Sequence, residues 1–237
     1  MAGQYRTENI IVGAAAVFTS VVSSVEAGWN AVALPARVDG TPYAATLQDG
    51  AVFRNVGYTS EGVEVTYSPD YGEVEVDQLL DAAKMFKQKM TVTVKTSMTE
   101  ATLENFVLVW AQSPASHRVA GSVETAPDSQ GNEKDLGDSF DGTEVPAGEE
   151  HLGLEAGALG IEPVERQLVF VGGSPRTDAG LKRERIYYLR RSLSVEASTH
   201  SLKRNEATGL PVSFRVLPTE VSGAEYGMVV DRVITTA

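Results

Sequence analysis

Residues 91–112, TVTVKTSMTEATLENFVLVWAQ, begin in one period and end in another. From Met90 to Lys95 the apolar residues Met90, Val92 and Val94 alternate with polar ones, the period of two of a strand with one buried face. Beyond them Leu103, Phe106, Val107 and Trp110 recur at i, i+3, i+4 and i+7, the apolar stripe of a helix. Ser97 with Glu100 three residues on fits a capping box, in which each side chain satisfies the other's free backbone N–H. The pattern therefore predicts a helix over about 98–112. A helix with one apolar stripe must lie against another layer, so Leu103, Phe106, Val107 and Trp110 are its expected contact with a sheet.

The rest of the chain reads as strands. Val63, Val65 and Tyr67 alternate with Glu64 and Thr66, SPDYG (68–72) supplies Pro and Gly turn chemistry, and Val74 and Val76 alternate with Glu73, Glu75 and Asp77. This predicts a hairpin turning at SPDYG, with Glu64, Glu73, Glu75 and Asp77 on the face opposite the valines. Further period-two runs fall near 164–171, 184–195, 210–217 and 226–234, with Leu210, Val212, Phe214 and Val216 on one face. The N-terminal run from Ile10 to Ser20 has the charge Arg6 cancelled by Glu8 and is rich in β-branched residues, so it reads as a buried first strand rather than a secretory leader. It is too short to span a bilayer. The expected fold is mainly β: one domain over residues 1–237, an antiparallel sandwich or barrel with one flanking helix. The stretch from Ala27 to Tyr58, rich in Ala, Gly and Pro, is a candidate arm that orders on a neighbour.

Composition narrows the function. The 237 residues include no cysteine, which excludes disulfide staples, zinc fingers and thiol chemistry. A formal charge of −12 repels nucleic acid unless the bases cluster. Much of that charge is local. From Gly121 to Glu150 nine acids (Glu124, Asp128, Glu133, Asp135, Asp138, Asp141, Glu144, Glu149, Glu150) stand against Lys134, within an aperiodic segment at about 113–150 that reads as an acidic loop or insertion. From Arg176 to Arg204 eight bases, including Arg185, Arg190 and Arg191, stand against three acids. Two surfaces of opposite sign can meet between copies of the chain, with Arg185, Arg190 and Arg191 facing Asp135, Asp138 and Asp141; solvated faces are the plainer account.

Catalytic and metal motifs are weak. His117, His151 and His200 have no metal spacing, VGGSPRTDAG (171–180) lacks the Lys-Ser/Thr of a phosphate cradle, and DLGDSFDG (135–142) spaces its aspartates three apart where a calcium loop uses alternate positions. No catalytic residue, cofactor or metal is expected. A glycosidase pair would need two facing carboxylates, which spacing alone does not identify.

In order, NVGYTSEGVEVTYSPDYGEVEVDQLLDAAK (55–84), KMTVTVKTSMTEATLENFVLVW (89–110), PVERQLVFVG (163–172), GLPVSFRVLP (209–218) and YGMVVDRV (226–233) resemble the major tail tube proteins of long-tailed, non-contractile bacteriophages. The resemblance covers most of the chain. It implies a β-sandwich or barrel beside one helix, six copies per ring, and rings stacked into a tube through which DNA passes without specific binding. It implies no catalytic residues. Partners would be other copies, the tape measure, tail-tip and tail terminator proteins, and the location the virion tail, assembled in the host cytoplasm. An acidic inner wall would let DNA slide, which makes Glu64, Glu73, Glu75 and Asp77 candidates for the lumen. A β-sandwich that decorates a particle or is secreted, and binds carbohydrate or a cell surface, is the alternative.

Overall fold

The computed structural model describes residues 15–20, 46–47, 53–74, 83–120, 135–136, 139–154, 156, 163–175, 181–196, 198–200 and 208–234. In chain order these form β1 (Ala16–Ser20), β2 (Thr46–Leu47), β3 (Phe53–Asn55), β4 (Thr59–Val74), β5 (Lys84–Met98), α1 (Leu103–Val109), β6 (His117–Val119), β7 (Asp135–Leu136), β8 (Glu150–Leu152), β9 (Arg166–Ser174), β10 (Arg183–Ser194), β11 (Leu210–Leu217) and β12 (Gly227–Val233). The fold is mainly β with one α-helix, as the periods predict. Nine strands make one antiparallel sheet in the order β2-β3-β1-β9-β10-β11-β5-β4, with β12 also paired to β10. It is not a closed barrel, because the end strands β2 and β4 do not pair with each other. A second, three-stranded sheet, β7-β6-β8, lies within the acidic segment. Its strands of two or three residues are too short for a period of two to show.

The sheet is covered on both faces at its centre. Val17, Leu168, Phe170 and Leu189 share one apolar cluster with Val94 and Phe214, whereas their chain neighbours Phe18, Val169, Val171 and Tyr188 share another with Phe53 and Ile186. Successive strand residues point to opposite faces, so the two clusters lie on either side of β1, β9 and β10. Burial on both faces explains why LVFV (168–171) is continuously apolar rather than alternating. Strand β11 keeps the alternation, with Leu210, Val212, Phe214 and Val216 all buried.

Two local readings need correction. The helix spans Leu103–Val109, and its N-cap is Thr102, whose hydroxyl accepts from the Asn105 N–H. Ser97 and Met98 belong to β5, and the Glu100 carboxylate accepts from the Tyr58 N–H across the sheet instead of closing a capping box. Thr99 donates its N–H and hydroxyl to the Tyr58 carbonyl, which holds this link extended. The second correction concerns SPDYG. It lies inside the sixteen-residue strand β4, with Pro69 opposite Met90, and the hairpin partner of β4 is β5. Proline is tolerated there because β4 is an edge strand.

Of the expected helix stripe, Val107 is buried, while Leu103, Phe106 and Trp110 are half-buried. Leu108 and Val109 complete the inner face, and Phe106 and Trp110 stack against each other and against the His200 ring. The deepest polar group on the helix is Asn105, 1% exposed. Its carboxamide accepts from the Arg54 guanidinium at 2.8 Å and donates to the carbonyls of Val56 and Glu100 at 2.9 and 2.8 Å. One side chain thus ties the helix to β3 and to the exit of β5. The candidate arm is accordingly part of the core at its C-terminal end, where Phe53 and Val56 are buried; residues 27–45 and 48–52 lie outside the described residues, as do residues 10–14 of the expected first strand. Among the described residues no helix is long and apolar enough to cross a membrane.

Removing the Asn105 amide takes the acceptor from a buried guanidinium and the donor from two carbonyls. Asn105→Ala should cost about 2–4 kcal/mol in chemical denaturation, whereas Thr102→Ala should cost about 1 kcal/mol, as loss of a cap does. The helix ends with Ala111 at φ 52° and the Gln112 N–H donating to Val107, a left-handed cap made without glycine. Ala111→Gly should therefore stabilise the protein by about 0.5–1 kcal/mol, read as a raised denaturation midpoint.

Candidate interaction surfaces

β11 pairs with β5 only from Val92 to Met98, so among the described strands the outer half of β5, from Lys84 to Thr91, pairs with β4 alone. The two strands project as an arm of roughly 25 Å at the usual rise per residue. Its exposed side chains include Tyr67, Tyr71, Val74, Met85 and Phe86, with Tyr67 62% and Met85 57% exposed. Lys87 lies over the Tyr67 ring, 5.5 Å from its centroid, and donates to the Tyr67 hydroxyl. A free two-stranded ribbon is marginal in water, and an apolar one is a surface fitted for cover by another chain.

The arm also divides the expected acidic face. Glu64 stands opposite Lys95, and Asp70 opposite Lys89, so these carboxylates meet lysines rather than one another. Gln88 is the inserted residue where the register shifts at Asp70 and Tyr71. Because that insertion is on β5, β4 keeps its alternation, which puts Glu73 on the face of Val63 and Tyr67, opposite to Glu64. Glu64 and Glu73 therefore do not share one wall. Glu75 and Asp77 lie outside the described residues.

The basic strand β10 spends much of its charge within the chain. Arg185 grips Asp231 of β12 through two hydrogen bonds of 2.7 and 2.8 Å. On the other face Glu184, 2% exposed, pairs with Arg232. Arg191 holds Glu165 in the same two-pronged way, at 2.6 and 2.5 Å, and donates to the Pro218 carbonyl. The Arg190 N–H donates to Tyr226. Asp141 turns inward on its own loop, accepting from the N–H and hydroxyl of Thr143, and these bonds lower its carboxyl from the ordinary range. Asp135 lies in β7 beside Arg118, and Asp138 is outside the described residues. Within one chain, Arg185 and Arg191 thus meet Asp231 and Glu165, partners that runs of like charge do not reveal.

His117 is buried with Nε2 3.1 Å from Glu150, and His151 lies between Ser139 and Glu149. No group of three or more potential metal ligands occurs among the described residues. A cleft of about 290 Å³ beside Glu61, Glu64 and Glu196 is open and has Lys95 3.9 Å from Glu196. It lies at the lower bound of the usual small-molecule site. The chain matches no family model, and no curated protein matches it.

The Arg185–Asp231 pair makes β12 attachment pH-dependent. Hydrogen bonds from Arg185 lower the Asp231 carboxyl, so its contribution is full above the carboxyl's unfolded-state value and is lost as pH falls through the lower folded one. Asp231→Asn should consequently be less stable than the wild type at pH 6, with the difference shrinking as pH is lowered through 4 towards 2. Denaturation midpoints along that series are the measurement; a constant difference would show that the ion pair does not stabilise the strand.

Proposed function

We propose that the protein is a structural subunit that assembles with copies of itself, specifically the tail tube subunit of a long-tailed, non-contractile bacteriophage. The carrying observation is the arm: a long two-stranded extension of an open antiparallel sheet, with Tyr67, Tyr71, Val74, Met85 and Phe86 exposed among its charged residues. A monomer has no use for such a surface, whereas neighbouring copies bury it at every contact. The helix packed beside the sheet agrees with the same family resemblance. In this reading six copies close a ring, rings stack into a tube, and DNA passes through the lumen without specific recognition. Tape measure, tail-tip and terminator proteins set the length and ends, and the protein resides in the virion after assembly in the host cytoplasm.

Electron microscopy of the purified chain tests the reading directly. Concentrated protein, alone or seeded with tail-tip proteins, should form hollow rings and tubes, and Tyr67→Lys with Met85→Lys on the arm should reduce their yield at least about tenfold without moving the thermal midpoint, because surface substitutions change little within a monomer. Exclusively monomeric protein under all these conditions would contradict the proposal.

A further inference from the structure

The three-stranded sheet and the turn beside it carry polar side chains that self-assembly does not need. Ser139 opens a tight turn in which its N–H donates to the Thr143 carbonyl at 2.6 Å and its carbonyl accepts from the Gly142 N–H at 3.0 Å. Gly142 has φ 79°, the left-handed conformation that glycine adopts without strain, and Asp141 accepts from the N–H and hydroxyl of Thr143. The turn is docked just beyond the end of β8, where the Phe140 ring lies so close to Gly153 that a Cβ there would stand 2.6 Å from it. Ser139 is thus held through both its N–H and its carbonyl, which gives its side chain a fixed direction.

That side chain meets His151. Ser139 Oγ is 2.8 Å from His151 Nδ1, and His151 Nε2 is 3.1 Å from the Glu149 carboxylate. The tautomer follows from the partners. A carboxylate can only accept, so Nε2 carries the proton and Nδ1 presents its lone pair, to which the Ser139 hydroxyl donates. Serine, neutral imidazole and carboxylate stand in the hydrogen-bonded line that activates a hydroxyl as a nucleophile. Asp141 brings a second carboxylate: its carboxyl, lowered chiefly by the bonds from Thr143, is lowered further by the charge of His151. Two carboxylates favour the imidazolium that forms when the serine gives up its proton. Next along the chain, the Phe140 N–H has no acceptor among the described residues. The N–H that follows a serine nucleophile is a usual donor to the oxyanion of an acyl-transfer intermediate.

We propose that Ser139, His151 and Glu149 form a nucleophilic site that hydrolyses esters of small acyl groups. Ser139 and His151 are its catalytic residues, and Glu149 positions the ring. As Ser139 Oγ bonds to the acyl carbon, its proton passes to His151 Nδ1, and the carbonyl electron pair moves onto the oxygen beside the Phe140 N–H. Collapse of that intermediate breaks the bond to the leaving alcohol, which takes the proton from Nδ1 and leaves an acyl-serine. Water then gives its proton to Nδ1 as it attacks the acyl carbon, Ser139 Oγ leaves and recovers a proton from Nδ1, and the carboxylic acid departs. The Phe140 ring is 51% exposed, with the Arg118 guanidinium over it 5.0 Å from its centroid, so it offers a flat apolar surface to a short acyl or aryl group. The site belongs to the turn and to β8 of the small sheet, and it stands whether or not copies of the chain assemble.

Covalent labelling of the full chain tests the site. An alkyl fluorophosphonate should leave one adduct per chain, mapped to Ser139 by peptide mass spectrometry, and p-nitrophenyl acetate should be hydrolysed with turnover. Ser139→Ala should abolish both. His151→Gln should slow labelling by about a hundredfold or more, the contribution of a general base. Glu149→Gln should lower kcat by about tenfold or more at unchanged KM, and Glu149→Asp should restore part of it, which a carboxylate with a merely structural role would not do. Thermal midpoints identify the variants that fold like the wild type, and the wild-type adduct and its position decide the matter even if a variant does not fold. Folded wild type without an adduct, an adduct on another residue, unchanged labelling of folded His151→Gln, or Glu149→Gln turning over like the wild type would overturn the proposal.

Discussion

An edge of a strand offers one row of donors and acceptors, and β10 has to share one of its rows between two partners. Along Arg183–Leu189 that edge belongs to β12, and along Arg191–Ser194 it belongs to β11. Both run antiparallel to β10, so they lie end to end, separated by the excursion 218–226 that Thr219 and Glu225 close with backbone and hydroxyl hydrogen bonds. The consequence reaches across the sheet. β5 follows β11 and stays in the core, but from Thr91 outward β4 is the one described strand that pairs with it. The projecting arm and the open edge of β12 are two results of that one division.

The helix is placed by polar groups as much as by its apolar face. A seven-residue helix is far below the length that is stable by itself, so its position depends on tertiary contacts. Val107, Leu108 and Val109 supply burial, and Asn105 supplies direction, because its carboxamide has partners on β3 and on the segment that leaves β5. Arg54 is carried into this site by β3, which itself pairs with β1. A buried polar network of this kind costs stability when any member is lost, and it admits a single docking of helix on sheet.

Charge and edge protection both bear on the proposed self-assembly. With a net charge of −12, copies of the chain repel at a distance, so the proposed contact between them would fall where arginines gather or where apolar groups outweigh the repulsion. The β10–β12 strip satisfies the first condition and the arm the second.

The sequence by itself determined the secondary-structure class, the positions of β9, β10, β11 and β12 to within a few residues, the inner half of β5, the presence of a helix after it, and the separation of charge. These are properties of single segments, because a period reports how one stretch is buried whatever covers it. Ser97, Glu100 and SPDYG mark where local signals failed. A capping box and a Pro-Gly turn are the best use of those residues in isolation, but in the fold Tyr58 takes Glu100, and β5 pairs with both sides of Pro69. Tertiary structure alone decided the length of the helix, the burial of Asn105 with Arg54, the ion pairs of Arg185 and Arg191, and which strand edges stay open. Each is a competition between segments distant in the chain for the same hydrogen-bonding groups, and its outcome depends on which partner reaches them first in space rather than on the pattern of either segment.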